Sequence, residues 1–137
     1  MQKQQHIEHS IYVDRDDLLS PECVVDVGRK LVIVKFEKKL AFRDIERYTA
    51  WLRANPLFQW DFSEIVDLSA VEEFDLQADD FLKLADDRDP FSHQAKRAFV
   101  AQTSAQTHAA RMHKMLRGQR SFEIFSTLQE AESWIAS

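Results

Sequence analysis

The chain reads as an α/β domain: an N-terminal β-hairpin followed by αβαβαβα, forming a mixed, mostly parallel sheet with helices packed against it. Three observations predict this. Two β-branched runs, Val24-Val25-Asp26-Val27 and Leu31-Val32-Ile33-Val34-Lys35-Phe36, flank the short loop Gly28-Arg29-Lys30, which is the pattern of a hairpin. After the hairpin, stretches with apolar residues at helical spacing alternate with short apolar runs. Strands separated by helices join through right-handed crossovers into a parallel sheet. The third observation is composition: 137 residues, 45% of them hydrophobic, with ten phenylalanines, two glycines and three prolines, suit one packed core with short connections.

Residues 1–20 are polar, with an isolated alternation at Ile7, Ile11 and Val13 and the acidic turn Asp14-Arg15-Asp16-Asp17. They read as a tail or edge strand, set apart from an α/β domain over residues 21–137. After the hairpin, Phe42, Ile45, Thr49 and Leu52 recur at helical spacing, Tyr48 and Trp51 widen the stripe, and Asn55-Pro56 ends it. Ser63 to Leu68 is a short strand. Ala78, Phe81, Leu82 and Ala85 mark a second helix closed by Asp89-Pro90. Lys96 to Ala101 is the next strand, and the loop Gln102-Thr103-Ser104 offers N-cap residues to a third helix. That helix buries Ala105, Ala109, Met112 and Leu116 and ends at Gly118. Ser121 to Phe125 alternates as a last strand. Thr127 and Glu130 have capping-box spacing before a closing helix that buries Leu128, Ala131 and Ile135.

Composition bounds the function. The longest apolar run is far shorter than the ~20 residues a membrane-spanning helix needs, so no membrane insertion is expected. The first residues carry no apolar stretch of a secretory signal, and the expected address is cytoplasmic. Cys23 is the single cysteine and is expected to be a half-buried apolar residue. A net charge of -5 argues against a nucleic-acid partner. The charge is unevenly divided: residues 61–89 hold eleven carboxylates against Lys83 and Arg88, whereas residues 90–120 hold six Lys or Arg and no acid. Opposed segments of this kind suit either solvated faces or a docking dipole.

The run Ile65-Val66-Asp67-Leu68-Ser69-Ala70-Val71 is similar to the strand and D-L-S-x-V turn of the STAS family, whose members include anti-sigma-factor antagonists. Phe74-Asp75-Leu76-Gln77 precedes the second helix as it does there. Phe91 to Ala101 and Ala110-Arg111-Met112 resemble runs of the SpoIIAA-like, STAS/SEC14-labelled branch. The resemblance covers roughly residues 22–137 and implies a non-catalytic regulatory module that acts through contact with another protein. It places partner-binding residues at the start of the second helix, at Asp75, Gln77, Asp79 and Asp80. Antagonists switched by phosphorylation carry D-S-S-G there; this chain has Asp75-Leu76-Gln77-Ala78 and no hydroxyl to modify, so the kinase-operated switch is not implied. A homodimer is the alternative partner arrangement, with the acidic second helix meeting Arg111, Lys114 and Arg117 of a second copy. The branch label also admits a lipid or small-metabolite carrier with a ligand edge at Ser69, Thr103 and Ser104, beyond the strand ends.

Catalytic signals are absent from the sequence. Asp67 invites comparison with a phospho-accepting aspartate, but Glu37-Lys38-Lys39 stands where paired magnesium-binding acids are needed. Asp67 is instead expected to cap a turn. His108 and His113 are five residues apart on one helix and point to different faces, so they cannot chelate jointly. There is no Gly-rich phosphate loop and no nucleophile elbow. The sequence therefore predicts no catalytic residue, no metal site and no cofactor. The carboxylates of 61–89 are expected to serve solubility.

Overall fold

The computed structural model of the protein describes residues 9–12, 21–86, 89–118 and 121–137, of which 9–12 and 84–86 are described by backbone alone. Ten elements follow in order: β1 (His9–Tyr12), β2 (Glu22–Asp26), β3 (Leu31–Ala41), α1 (Phe42–Ala54), β4 (Ser63–Asp75), α2 (Ala78–Asp86), β5 (Arg97–Val100), α3 (Ser104–Arg117), β6 (Phe122–Phe125) and α4 (Leu128–Ala136). The strands form one sheet in the order β1-β2-β3-β4-β5-β6. The hairpin partners β2 and β3 are antiparallel, β1 adds antiparallel to β2, and β3 to β6 are mutually parallel. Ile7 and Val13 lie outside the described residues.

Strand order explains the layering. Each of the three parallel crossovers steps to the next strand in the same direction, so a common right-handedness places α1, α2 and α3 on one face. Alternate strand residues meet them: Val32, Val34, Phe36, Val66, Leu68, Phe99 and Phe122 share a core with Tyr48, Leu52 and Ala110. Among the described residues α4, which follows the last strand, is the helix that covers the opposite face, where Leu31, Ile65, Ala98 and Val100 pack on Ala131. The three crossover helices are not equivalent. α1 packs on β3, and α3 packs on β4 and β6, while α2 makes its contacts chiefly with α3.

Several expectations are corrected. β3 and β4 run to Ala41 and Asp75, well past Phe36 and Leu68. The D-L-S-x-V run does not end its strand. It bulges: Lys35 pairs with Asp67 but Glu37 with Ala70, and a second shift follows between Lys38 and Lys39. The Asp67 side chain produces the local geometry by accepting from the Ser69 amide at 2.9 Å and the Ser69 hydroxyl at 2.6 Å. Bulges break the period-two apolar pattern, which is why the strand reads as short in the sequence.

The third helix is turned relative to its apolar stripe. Ala105 is exposed and Met112 and Leu116 are half-buried, whereas Gln106 and Ala110 are buried and His113 and Arg117 are half-buried. Its N-cap is Thr103, whose Oγ1 accepts from the Gln106 amide at 3.2 Å, and Ser104 is the first helical residue. Gly118 closes it at φ 60°, the left-handed conformation that favours glycine. On α2, Leu82 is 62% exposed instead of buried, and the Ala85 side chain lies outside the described residues. Cys23 is fully buried, not half-buried, and desolvation pushes its thiol far up and out of reach of reaction.

Candidate functional site

The site begins with one register pair. In the parallel ladder Glu64 lies opposite Arg97, and alternation turns both toward the helices α1 to α3, beside Val66 and Phe99. Both are buried. An isolated charge in such a place would be prohibitive, so the pair survives through its partners. Arg97 Nε lies 3.1 Å from Glu64 Oε1. Its two terminal nitrogens hold the Asp89 carboxylate in a fork, Nη1 at 2.6 Å from Oδ2 and Nη2 on Oδ1. The guanidinium also stacks 4.5 Å from the centre of the Phe91 ring. From α1, Tyr48 donates its hydroxyl to Glu64 Oε2 at 2.6 Å, and its ring meets Phe36 edge-on at 6.0 Å.

α3 supplies the far side. His113 rests 5.0 Å from Phe99, centre to centre, and its Nδ1 is enclosed with no hydrogen-bond partner among the described residues. Arg117 follows one turn later. These polar groups border a cavity of about 70 Å³, otherwise walled by Phe36, Leu40, Val66, Leu68, Phe81 and Phe99. The segment Asp89-Pro90-Phe91 also lines it, beside Phe81 of α2.

The electrostatics follow from burial. Desolvation is the largest influence on Glu64 and lifts its pKa, with Arg97 and Tyr48 opposing only in part. Asp89 is also penalised by burial, but Arg97 outweighs this and holds its carboxyl below the ordinary value. Burial raises Tyr48 well above the usual phenol range, so it stays a donor. His113 is pushed down to about 3, first by burial and then by Arg97 and Arg117, and is a neutral imidazole at neutral pH.

Of these residues Arg117 stands among the candidates read from the sequence, as a contact between two copies, and His113 was considered there as a metal ligand and set aside; the others were not singled out for a site. Their signal was present but bland: a Glu and an Arg inside apolar β-runs, and a His and an Arg at the polar end of a helix. The expectation that the acids of 61–89 serve solubility fails for Glu64, Asp67 and Asp89, which turn inward. Part of the opposed charge of segments 61–89 and 90–120 meets inside the molecule, at Arg97.

The residues that were singled out lie elsewhere. Asp75, Gln77 and Asp80 line a cleft of about 420 Å³ with Lys39, Phe42 and Arg43, at the N-terminal ends of α1 and α2. Asp80 caps α2 by accepting from the Gln77 amide at 2.8 Å. Asp75 faces Lys39 at 3.5 Å, and Asp79 is exposed. Ser69, Thr103 and Ser104 lie near one another through Gln106. Its Oε1 accepts from the Gln102 and Thr103 amides at 2.7 and 3.2 Å, while its Nε2 donates to the Val71 and Ser69 carbonyls at 2.9 and 3.4 Å. The polar groups of that edge are largely engaged with one another. Arg111 and Lys114 are exposed on α3, but Arg117 turns toward the cavity. Among the described residues no helix is long and apolar enough to cross a membrane, and no cluster of three metal-ligating side chains occurs.

No family model matches the chain, and no curated protein matches it. Among solved structures it is similar to a protein of the DUF3478 family from Shewanella loihica PV-4, described as uncharacterized and as having a SpoIIAA-like fold. The TM-score is 0.55 at 21% identity, over 93% of this chain and 91% of that one. Identity at that level speaks to architecture alone, and the architecture agrees with the strand order and layering above: this chain has a SpoIIAA-like α/β fold.

Proposed function

We propose that this chain is a non-catalytic domain that binds a small molecule in the cavity between the sheet and helices α1 to α3. One observation carries the reading: an apolar cavity lined in part by Phe81 of α2 has, in its wall, a histidine nitrogen with no partner among the described residues. Binding sites are typically apolar hollows with a few convergent polar groups. A non-catalytic role is supported by the state of the acids and bases. Glu64 and Asp89 are tied to Arg97 and Tyr48, and His113 is neutral, so no positioned pair stands ready to exchange a proton with a substrate. The reading keeps the cytoplasmic address and the absence of a nucleic-acid partner, the latter supported by the net charge of -5.

The test is a thermal-shift survey of small metabolites against the wild type and Ala109→Leu, a variant that fills the cavity from α3. Ala109 lines the cavity, and the added atoms should occupy it at little cost in strain. Compounds that raise Tm are expected for the wild type alone. If the two proteins respond alike to every compound, the cavity is not the binding site.

A second reading, a regulatory module that docks another protein, is favoured by the outer side of α2. Asp79 and Leu82, three residues apart on one helical face, are both exposed. Replacing Asp79 by Asn should slow association with a basic partner and flatten its salt dependence. Asp80 is unsuitable for this test because it caps the helix. An unchanged association rate at all salt concentrations would mean that the face is merely solvated.

A further inference from the structure

The chemistry of the cavity wall restricts what can enter it, and the following rests on the small-molecule reading above. The described charged residues of the wall are Glu64, Asp89, Arg97 and Arg117: two carboxylates and two guanidinia, balanced. Three of the four are locked in one cluster, with both carboxylates on Arg97. A ligand carrying a net charge would therefore add an uncompensated charge to an apolar enclosure, which is strongly unfavourable.

Hydrogen bonding restricts it further. Tyr48 is engaged with Glu64, and Thr49 donates to the Glu46 carbonyl at 3.1 Å. Arg117 also interacts with its surroundings. His113 Nδ1 is enclosed, lies in a residue of the wall and has no partner among the described residues, whereas the likewise enclosed Glu64 Oε1 and Arg97 Nε face each other as an ion pair at 3.1 Å. A neutral imidazole nitrogen either donates or accepts according to tautomer. A hydroxyl group suits both cases, because it can do either. Size sets the last limit. A cavity of about 150 Å³ holds the six carbons of benzene, so about 70 Å³ has room for roughly three heavy atoms on that scale.

We propose that the cavity takes a small uncharged molecule with one hydroxyl, bonded to His113 Nδ1, and a short apolar part against Phe36, Leu68 and Phe99. The class is that of short-chain monohydric alcohols and their hydroxylated equivalents. Ordered water is the competing occupant; it needs two to four polar partners, which Nδ1 together with the enclosed Glu64 Oε1 and Arg117 Nε of the same wall would supply, and the titration decides between the two.

The experiment titrates the full chain with four probes of matched size, ethanol, chloroethane, formate and ethylammonium, followed by the NMR shifts of Phe99, Ala109 and His113. The expected result is binding of ethanol at least tenfold tighter than each of the other three. His113→Phe should bring ethanol down to the level of chloroethane, and His113→Gln, which restores a polar donor and acceptor, should recover part of the difference. If chloroethane binds as tightly as ethanol in the wild type, the hydroxyl assignment is wrong although the cavity reading stands. Equal or tighter binding of formate or ethylammonium overturns the requirement for an uncharged ligand. If none of the four binds, water is the occupant and this proposal fails. The cavity reading then depends on the separate survey with Ala109→Leu, whose outcome is independent.

Discussion

Arg97 is 2% exposed and is the residue on which two carboxylates and the Phe91 ring converge, with the Tyr48 phenol bonded to one of those carboxylates. Removing it leaves Glu64 and Asp89 buried near each other without their cation, so Arg97→Met should cost about 3–5 kcal/mol in chemical denaturation. Glu64→Gln in the same background should recover part of that loss, since it removes one of the two stranded charges. If Arg97→Met costs less than about 1 kcal/mol, the cluster is not holding strands β4 and β5 to the helices. His113 gives a signature in pH. Its folded pKa is about 3, below the ordinary 6.5, so the unfolded chain binds the proton first. The stability present above pH 6.5 is lost as pH falls toward 3, at up to about 1.4 kcal/mol per pH unit. Asp89, also lowered, adds loss in the same direction below 3.8. Glu64 is raised, so its effect is opposite: it favours the fold below 4.5, and that contribution disappears as pH rises through its folded value. His113→Phe should therefore flatten the decline between pH 6.5 and 4.5, and an unchanged slope would remove His113 as its cause.

At the scale of elements, α3 shows where a sequence misleads. Ala105, Ala109, Met112 and Leu116 make a plausible stripe, yet the buried positions of the helix are Gln106 and Ala110, and the polar His113 is half-buried like Ala109, Met112 and Leu116. A reading keyed to apolar residues assigns buried polar ones to solvent. Gln106 is buried because its amide satisfies four backbone groups across the loop before α3 and the bulged part of β4. Nothing in its local sequence announces that. Ala110→Asp should destabilise by several kcal/mol through burial of an unpaired charge, whereas Ala105→Asp, on the exposed side and near the helix N-terminus, should be neutral or slightly stabilising. Equal melting temperatures would restore the apolar phase. The same blindness hid the site: Glu64 and Arg97 each look like one polar interruption in a strand, and only the β4–β5 register brings them together.

For the whole molecule, the order of elements was legible because each crossover is short and the helices carry clear stop or cap residues, such as Asn55-Pro56 and Thr127. The unequal roles of α1, α2 and α3 were not, because they depend on three helices sharing one face of the sheet. α1 and α3 take the contacts with β3, β4 and β6, and α2 is left to lean chiefly on α3, with Leu82 turned to solvent and Phe81 half-buried over the cavity. An element whose described side chains bury so little apolar surface is expected to open locally at a free energy well below that of global unfolding. Native-state hydrogen exchange should therefore show the amides of α2 exchanging far faster than those of α3 and of the central strands β4 and β5. Denaturant should have little effect on α2 exchange, because local opening exposes little surface. Ala109→Leu should slow exchange in α2 by giving its inner face a filled surface to rest on. If α2 is as protected as β4 and its exchange has the full denaturant dependence of global unfolding, then it is an integral part of the core, and entry to the cavity must be sought elsewhere.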